Sequence, residues 1–410
     1  MKKILTIIQI CILVSLTLLS CGEDRTYEYL EKTKENQWIY STMKETYLWR
    51  EQIKTPEQSQ FFVATSKFFS SLLTNGDKAS FFTDALLTGD YGMRVTLMRD
   101  PIGIQPSRVY ALVLDVEPES PAGKAGIERG AWISAVNGKA LTMSGKTLLE
   151  QGEEADLAME YIDFDDESER YLWTVLDTIT IASSTPYEKC NINHDAILNE
   201  GDRRIGYFLC NGFDGNDFKE NTDKVMEEFI AGNVTDIVID LRYNSGGAME
   251  NVAYIAGMLV PPSLVNTPFA ILKDINEEVD TVYNYTPSSL NIGDKRVFFI
   301  IGEATKGTAE LLVRSVDLSR DTYDVIIVGE KSAGSNVIAE RFDSPYGFAI
   351  NPATAVLYTS DGSIMSSDGI TPDCKADELG QKPYVYPLGS KQEYLLYNIM
   401  HYILEGAFPE

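Results

Sequence analysis

Helical spacing of apolar residues characterises the chain after a short apolar leader. Between Tyr27 and about Lys54, apolar residues recur every three to four positions with no glycine or proline among them, which predicts an amphipathic helix. Thr55-Pro56 ends it, because the residue before a proline is held away from helical geometry. A second helical pattern runs from Phe61 to Leu73. We therefore predict a small helical domain over residues 22–90.

The pattern changes to short strands between Tyr91 and about Thr180. Apolar and polar side chains alternate there with a period of two, for example from Ala111 to Val116 and from Tyr171 to Leu176. We predict a separate domain of short strands and helices over residues 91–180.

Strands alternate with helices from about Ile181 onward, which predicts an α/β core with a mostly parallel sheet over residues 181–410. Segments such as IVIDL and VFFII are apolar on both sides, as expected for strands covered by helices on both faces. Strands are predicted at Ile205 to Leu209, Asp236 to Leu241, Arg296 to Ile301 and Val325 to Val328, and helices at Lys219 to Ile230, Met249 to Leu259 and Thr308 to Leu318.

Length and charge narrow the class of protein. The chain has 410 residues, which fits several domains, and its composition is that of a globular protein. Its formal charge of −26 makes nucleic acid an improbable partner, because phosphate backbones need a cationic face.

The leader over residues 1–21 has the pattern of a bacterial lipoprotein signal peptide. Lys2 and Lys3 precede an apolar run that ends in Leu-Leu-Ser before Cys21. The run is shorter than the roughly 20 residues that a membrane span needs. We expect cleavage before Cys21, lipidation of its thiol, and a place in the cell envelope. The acidic residues after Cys21 favour the outer membrane, facing the periplasm or the outside.

No metal or cofactor site is readable. The three cysteines beyond the leader and its anchor, Cys190, Cys210 and Cys374, show no CxxC spacing and no neighbouring histidine cluster, and their disulfide state stays open. We expect no metal and no organic cofactor.

Residues 116–138, VEPESPAGKAGIERGAWISAVNG, contain a set of turn signals. Ser120-Pro121 starts a short helix, Trp132 to Val136 is a strand, and Asn137-Gly138 is a hairpin turn. This segment resembles the PDZ domain of envelope proteases, although Ala131 stands where that family usually has aspartate. PDZ domains bind a peptide as an added strand and hold its carboxylate by backbone amides. The resemblance gives that role to Gly92 and Met93.

Four later segments, in order, resemble the C-terminal processing peptidases, also called tail-specific proteases. They are GYFLCNGF at 206–213, IVIDLRYNSGG at 237–247, VFFIIGEATKGTAELL at 297–312 and VGEKSAGSNV at 328–337. A fifth segment, DGITPD at 368–373, resembles the closing motif of that family. The resemblance implies a serine peptidase fold that grips peptide or protein C-termini.

The catalytic pair of that family, a serine nucleophile and a lysine base, falls on unsuitable residues. The nucleophile lies three residues before the glutamate of the helix motif, and counting back from Glu310 gives Gly307. The lysine position falls on Ser335. Neither residue carries the group that the chemistry needs. The chain has only two histidines, His194 and His401, and neither lies near a nucleophile-like turn.

Three interpretations follow. A relocated site could use Thr305 or Thr308 as nucleophile with Lys306 or Lys331 as base, although a shift of one helical residue turns a side chain by about 100°. The second, which we favour, is a pseudo-peptidase that binds tails without cutting them. The third is an assembly scaffold without a ligand.

The sequence pattern also predicts an oxyanion hole. Asn244-Ser245-Gly246-Gly247 follows a strand and opens a helix, so its backbone amides can converge on one point. The family resemblance assigns one donor to this loop, represented by Gly246 and Gly247, and another to Thr308. Asp240 and Arg242 are expected to fix the loop. The expected partners are peptide or protein C-termini, with membrane contact through the lipid anchor only.

Overall fold

The computed structural model describes residues 26–84, 89–215, 217–274, 276–319, 325–381 and 383–409. The leader and the anchor residue Cys21 lie outside the described residues. Within those ranges no helix combines the length and the apolar character needed to cross a membrane.

The N-terminal domain consists of two helices, two short 3-10 turns and one strand. They are α1 (Thr26–Thr46), the turns Arg50–Gln52 and Gln58–Phe62, α2 (Thr65–Leu72) and β1 (Phe81–Asp84). The predicted helices are confirmed, but the first ends at Thr46. The apolar side chains of the two helices share a core with the strand Phe348–Asn351, and β1 pairs with that strand in antiparallel register. The domain is therefore joined to the C-terminal core.

The middle domain is a twisted antiparallel sheet with short helices at its edge. Its elements are β2 (Met93–Arg99), β3 (Val109–Val116), α3 (Pro121–Lys124), β4 (Trp132–Val136), β5 (Lys139–Ala140), the 3-10 turn Lys146–Leu149, β6 (Ala155–Asp165) and β7 (Arg170–Ile181). The strand order is β2-β3-β4-β6-β7, with β5 on β4, so β2 is an edge strand.

Local signals in the middle domain act as the sequence predicted. The Ser120 hydroxyl caps α3 by accepting a hydrogen bond from the Gly123 N–H at 3.1 Å. Asn137 and Gly138 both have positive φ, 50° and 71°, as a two-residue hairpin turn requires. These contacts confirm the predicted helix start and hairpin.

The C-terminal core has many elements. The central ones are β8 (Ile192–Glu200), β9 (Arg203–Cys210), α4 (Phe218–Ala231), β10 (Asp236–Asp240), α5 (Met249–Leu259), β13 (Arg296–Ile301), α6 (Thr308–Leu318), β14 (Val325–Gly329), β19 (Cys374–Lys375) and α7 (Tyr394–Glu405). The outer ones are the 3-10 turn Pro262–Leu264 and the strands β11 (Pro268–Lys273), β12 (Val279–Asn284), β15 (Val337–Ala339), β16 (Phe342–Asp343), β17 (Phe348–Asn351) and β18 (Ala353–Thr359).

The central sheet has the order β19-β14-β13-β10-β9-β8, and only the β8–β9 pair is antiparallel. Helices α4, α5 and α6 cover one face and α7 covers the other, which explains why its strands are apolar on both sides. The predicted parallel sheet is therefore confirmed.

The outer strands were missed by the sequence analysis. Strands β12-β11-β18-β15 form an antiparallel sheet, and β1-β17-β16 form another, so the core is mixed rather than mostly parallel as a whole. Their residues alternate in burial, as in β18, but the segments are short and interrupted by turns. Residues of this second layer line one cavity together with residues of the loops that follow β10, β13 and β14.

Candidate functional site

Gly307 lies at the start of α6, at the end of the loop that follows β13. Its backbone has φ 61° and ψ −120°, a conformation that L side chains rarely adopt. A Cβ atom built on Gly307 would have no heavy atom within 4 Å. The position is thus sterically open toward the site but suited to glycine by its backbone.

The Glu310 carboxylate joins Gly307 to Ser335. Its Oε2 accepts hydrogen bonds from the N–H of Gly307 and from the N–H of Ser335, both at 2.9 Å. Its Oε1 accepts from the Gly334 N–H at 2.9 Å and from the Ser332 hydroxyl. Burial raises the pKa of Glu310, while these donors act in the opposite direction. One buried side chain therefore holds together the two loops that carry the positions predicted for the catalytic pair.

Gly307 and Ser335 line one cavity of about 740 Å³, which we call the dyad cavity. The Ser335 hydroxyl donates to the Val337 carbonyl at 3.1 Å. Other lining residues are Phe81, Asp214, Ser245, Gly246, Gly247, Lys306, Thr308, Tyr283, Glu340 and Arg341. The structure thus brings the two predicted positions together, with no side chain at one and a hydroxyl group at the other.

The two threonines proposed as relocated nucleophiles differ in their surroundings. Thr305 is fully buried, and its hydroxyl donates to the Leu241 carbonyl at 2.7 Å while accepting from the Gly302 N–H at 2.9 Å. Thr308 borders the dyad cavity, and its hydroxyl donates to the Gly247 carbonyl at 3.1 Å. Thr305 therefore holds the loop, whereas Thr308 lies at the cavity.

The two candidate lysine bases lie in different places. Lys306 lines the dyad cavity, and its backbone N–H donates to the Asn244 carbonyl at 3.2 Å. Lys331 lines a neighbouring cavity with Ser332 and Asp368. Of the four residues considered for a relocated site, only Thr308 and Lys306 border the cavity of Gly307.

The predicted oxyanion hole has two available donors, one in the loop after β10 and one at the start of α6. The Gly246 N–H donates to the Asn244 side-chain oxygen at 2.8 Å and is therefore occupied. Within the described chain, the N–H groups of Gly247 and Thr308 have no hydrogen-bond acceptor, and both residues line the dyad cavity. A carbonyl or carboxylate oxygen in that cavity would supply the missing acceptor.

Arg242 fixes this loop through a buried ionic network. Its guanidinium donates to Asp240 at 2.7 Å and to Glu393 at 2.8 Å. Arg129 of the middle domain extends the network, bonding the Tyr243 hydroxyl at 2.9 Å and pairing with Glu378 at 2.7 Å. The expected structural role of Asp240 and Arg242 agrees with these contacts, which also join the middle domain to the core.

Gly92 and Met93 border a second cavity of about 700 Å³, between the middle domain and the core, which we call the interdomain cleft. Gly92 has φ 74°, and a Cβ there would lie 2.0 Å from the Ser120 Cβ, so only glycine fits. Met93 begins the edge strand β2, and Lys146 and Glu150 line the same cleft. An open edge strand beside a cleft is the arrangement that binds an added peptide strand.

The two cavities share part of their walls. Asp214 and Ser245 line both the interdomain cleft and the dyad cavity. An extended chain bound along β2 would therefore pass these residues on its way toward Gly307. The sequence analysis missed Asp214 as a site residue, because it lies in a loop after β9 whose only signal was the GYFLCNGF segment that precedes it.

The fold and these two cavities define a PDZ-containing α/β protein with the architecture of a tail-processing peptidase. Comparison with known families agrees. Peptidase family S41 matches residues 204–376, the peptidase S41 N-terminal domain matches residues 34–83, and a PDZ domain matches residues 112–150. The chain belongs to peptidase family S41.

Two relatives of the chain are named as C-terminal processing proteases. The chloroplastic C-terminal processing peptidase of Tetradesmus obliquus is 25% identical over 274 residues, which cover 65% of this chain and 56% of that protein. The carboxyl-terminal-processing protease of Picosynechococcus sp. (strain ATCC 27264 / PCC 7002 / PR-6) is 24% identical over 306 residues, covering 72% of this chain and 67% of the relative. The chain thus spans 56% to 67% of the length of these two proteins.

Solved structures show the same fold. A crystal structure of an S41 protease from Bacteroides fragilis NCTC 9343 superposes with a TM-score of 0.76 at 24% identity, covering 90% of this chain and 97% of that one. The photosystem II D1 C-terminal processing protease gives a TM-score of 0.50 at 18% identity, covering 84% and 93%. At these identities the likeness establishes the fold alone.

Proposed function

We propose that this protein is a pseudo-peptidase of family S41 that binds the C-terminal tails of peptides or proteins without cutting them. The observation that carries the proposal is the pair of hydrogen bonds from Gly307 and Ser335 to one oxygen of Glu310. The two loops remain joined, yet the proposed nucleophile position has no side chain and the proposed base position carries a hydroxyl group in place of an amine. Binding functions of the site are retained and bond cleavage is lost.

Two features support binding. The edge of β2 borders the interdomain cleft next to Gly92, where a peptide strand can add and its carboxylate can meet backbone amides. The N–H groups of Gly247 and Thr308, at the dyad cavity, have no acceptor among the described residues and can donate to a bound peptide. An inert scaffold, the third interpretation, has no need of either feature.

Cleavage requires a nucleophile activated by a base within hydrogen-bond reach. The Thr305 hydroxyl is fully buried and occupied on both sides, so it does not meet a substrate. Without either member of a catalytic pair, the residual acceleration from binding and an oxyanion hole is on the order of 10³ over water. That rate is too slow for useful peptide hydrolysis.

Binding by the purified chain tests the proposal. Peptides that end in an apolar residue with a free carboxylate should bind, and the same peptides amidated at the C-terminus should bind more weakly, because the amides recognise negative charge. The bound peptides should remain uncut, and serine-directed phosphonates should not label the protein. Equal binding of acid and amide, or no binding across a peptide library, would favour the scaffold.

A second candidate function is peptidase activity with Thr308 as nucleophile and Lys306 as base. It is favoured by one observation, namely that both residues line the dyad cavity. In that case the wild-type chain would cleave tail peptides, and Thr308→Ala would abolish the cleavage while Thr305→Ala, at the buried threonine, would act through stability only.

We also propose that the chain is a lipoprotein of the cell envelope, anchored through Cys21. The support is the leader sequence: two lysines, an apolar run and Leu-Leu-Ser before the cysteine. An outer-membrane position, facing the periplasm or the exterior, would place the interdomain cleft among exported proteins, whose C-termini are the expected partners.

A further inference from the structure

The interdomain cleft is strongly acidic. Carboxylates outnumber cationic side chains in its lining, which holds Asp90, Asp115, Glu117, Glu150, Glu188, Asp214 and Asp217 against Arg94, Lys146 and Lys189. Lys146 is paired with Glu150 at 3.3 Å, and Arg94 stacks on the Tyr243 ring at 4.6 Å. The cleft that should receive a negatively charged carboxylate therefore carries an excess of negative charge elsewhere along its walls.

Two acceptor atoms in one wall of the cleft are incompletely paired. Asp115 is only 5% exposed, and its Oδ2 accepts a hydrogen bond from the Asn211 side-chain nitrogen at 2.9 Å. The other oxygen of Asp115 and the side-chain oxygen of Asn211 are both buried and have no hydrogen-bond partner within the described ranges. The Nε2 atom of His194 lies 3.4 Å from that Asp115 oxygen. Burial raises the pKa of Asp115, but His194 and Asn211 outweigh it and hold the pKa below its usual value, so His194 meets part of the need of this oxygen for a donor.

The orientation of the Asn211 amide is fixed. Its nitrogen must face the carboxylate of Asp115, because a carboxylate accepts hydrogen bonds and an amide oxygen cannot donate one. The Asn211 oxygen and the Asp115 oxygen beside His194 are therefore both acceptors. A group that only donates, such as an ammonium or a guanidinium, suits this wall of the cleft better than an anion does.

Glu117 and Asp214 are two further carboxylates of the cleft without a close cationic partner. Glu117 accepts a hydrogen bond from the Cys190 N–H at 3.1 Å, and in the described structure no lysine or arginine lies within ion-pair distance of Glu117 or Asp214. Lys189 acts on both from farther away. Burial raises the pKa of Glu117, and the charges of Asp115 and Asp90 raise it further. A bound cation would relieve this repulsion.

We infer that the interdomain cleft selects tails that carry a lysine or arginine side chain ahead of their terminal carboxylate. The inference rests on the proposed tail-binding function and names its substrate class. The backbone amides at Gly92 and Met93 receive the carboxylate, and the cationic side chain lies in the cleft against the wall that Asp115 and Asn211 form. Glu117 and Asp214 supply the surrounding negative charge.

The test uses the purified chain and a set of unstructured peptides with one apolar C-terminal residue and a free carboxylate. A single lysine is moved through the positions ahead of that residue, and each peptide is compared with versions that carry norleucine or glutamate instead. At the best position we expect lysine to bind at least about tenfold more tightly than norleucine, as a hydrogen-bonded charge allows. Glutamate should bind most weakly, and added salt should reduce the preference.

Two matched double variants test whether the carboxylates of the cleft cause the preference for lysine. Glu117→Gln combined with Asp214→Asn keeps hydrogen-bond acceptors but removes charge, and it should reduce the ratio of lysine-peptide to norleucine-peptide affinity by about tenfold. Glu119→Gln combined with Asp177→Asn makes the same charge change at exposed positions outside the cleft and should leave the preference intact.

The outcomes separate this inference from the proposed function. Equal affinity for lysine and norleucine peptides at every position would overturn the inference while leaving tail binding in place. Binding of lysine peptides that is the same for the free acid and the amide would uphold the acidic selection but contradict carboxylate recognition. An equal loss in both variant proteins would show that the preference reflects the net charge of the chain and would overturn the inference.

Discussion

The backbone N–H groups of Gly307 and Ser335 donate to the same oxygen of Glu310, each at 2.9 Å. These are the positions that the motif spacing predicts for the serine and the lysine of the family. The glutamate side chain thus fixes their mutual placement, with no side chain at Gly307 and a hydroxyl group at Ser335. Its carboxylate is buried, 1% exposed, and accepts from four donors in all.

Glu310→Gln should destabilise the protein by about 2 kcal/mol, because an amide places its NH₂ group against buried donors and leaves them unsatisfied. The free energy of unfolding, measured by denaturant titration, checks this. Glu303→Gln, an exposed charge change in the loop before α6, should have an effect within about 0.5 kcal/mol. Equal stability of both variants would show that Glu310 does not hold the two loops together.

Elements with strong local signals were predictable from the sequence. Met249–Leu259, Arg296–Ile301 and Thr308–Leu318 have the bounds that the apolar pattern predicts, because each is a long apolar segment with clear ends. The convergence of Gly307 and Ser335 could also be predicted, since motif spacing places each at a known point of the family fold.

Other parts of the site depend on contacts between distant segments. Asp115 and Asn211 are 96 residues apart, and no local pattern indicates that they share a wall of the cleft. The outer strands were missed because they are short and draw their stability from pairing across the fold, as β1 does with β17. The occupied N–H of Gly246 depends on one side-chain rotamer of Asn244.

Cys21→Ser should move the protein from the membrane fraction to the soluble fraction, because the thiol that carries the lipid would be lost. Fractionation of cells that express each form, with detection by antibody, measures this. Unchanged membrane partitioning would refute the lipoprotein proposal.

Glu393→Gln should destabilise the protein by about 3 kcal/mol near neutral pH, because it breaks a buried pair with Arg242 and leaves the charge of that arginine partly uncompensated. Burial pushes the pKa of Glu393 upward, but the attraction and hydrogen bonds of Arg242 outweigh it, so the pKa lies below its usual 4.5.

A depressed carboxyl pKa contributes stability that is fully present above about pH 4.5 and is lost as the pH falls through the lower folded-state value. The stability difference between wild type and Glu393→Gln should therefore shrink in acid. Glu405→Gln, an exposed change on the same helix, provides the matched control. A difference that stays constant down to acid unfolding would contradict the ionic role of Glu393.

Restoring the catalytic pair gives the sharpest distinction between pseudo-peptidase and peptidase. Gly307→Ser combined with Ser335→Lys should produce cleavage of tail peptides and labelling by serine-directed phosphonates, whereas each change alone should produce neither. A serine without its base stays protonated, and a lysine without a nucleophile has nothing to activate. The dyad cavity has room, since a Cβ at Gly307 meets no heavy atom within 4 Å.

The backbone conformation of Gly307 lowers the expected stability of the variant that restores the serine. At φ 61° a serine costs on the order of 1–3 kcal/mol of strain, which lowers stability without closing the site. Gly307→Ala combined with Ser335→Lys carries the same strain without a hydroxyl group, so it is the control for both stability and activity. Cleavage by this control or by the wild type would contradict the proposed dyad positions. If the serine–lysine variant is folded, as stable as its alanine control and still inactive, the assignment of these positions is wrong.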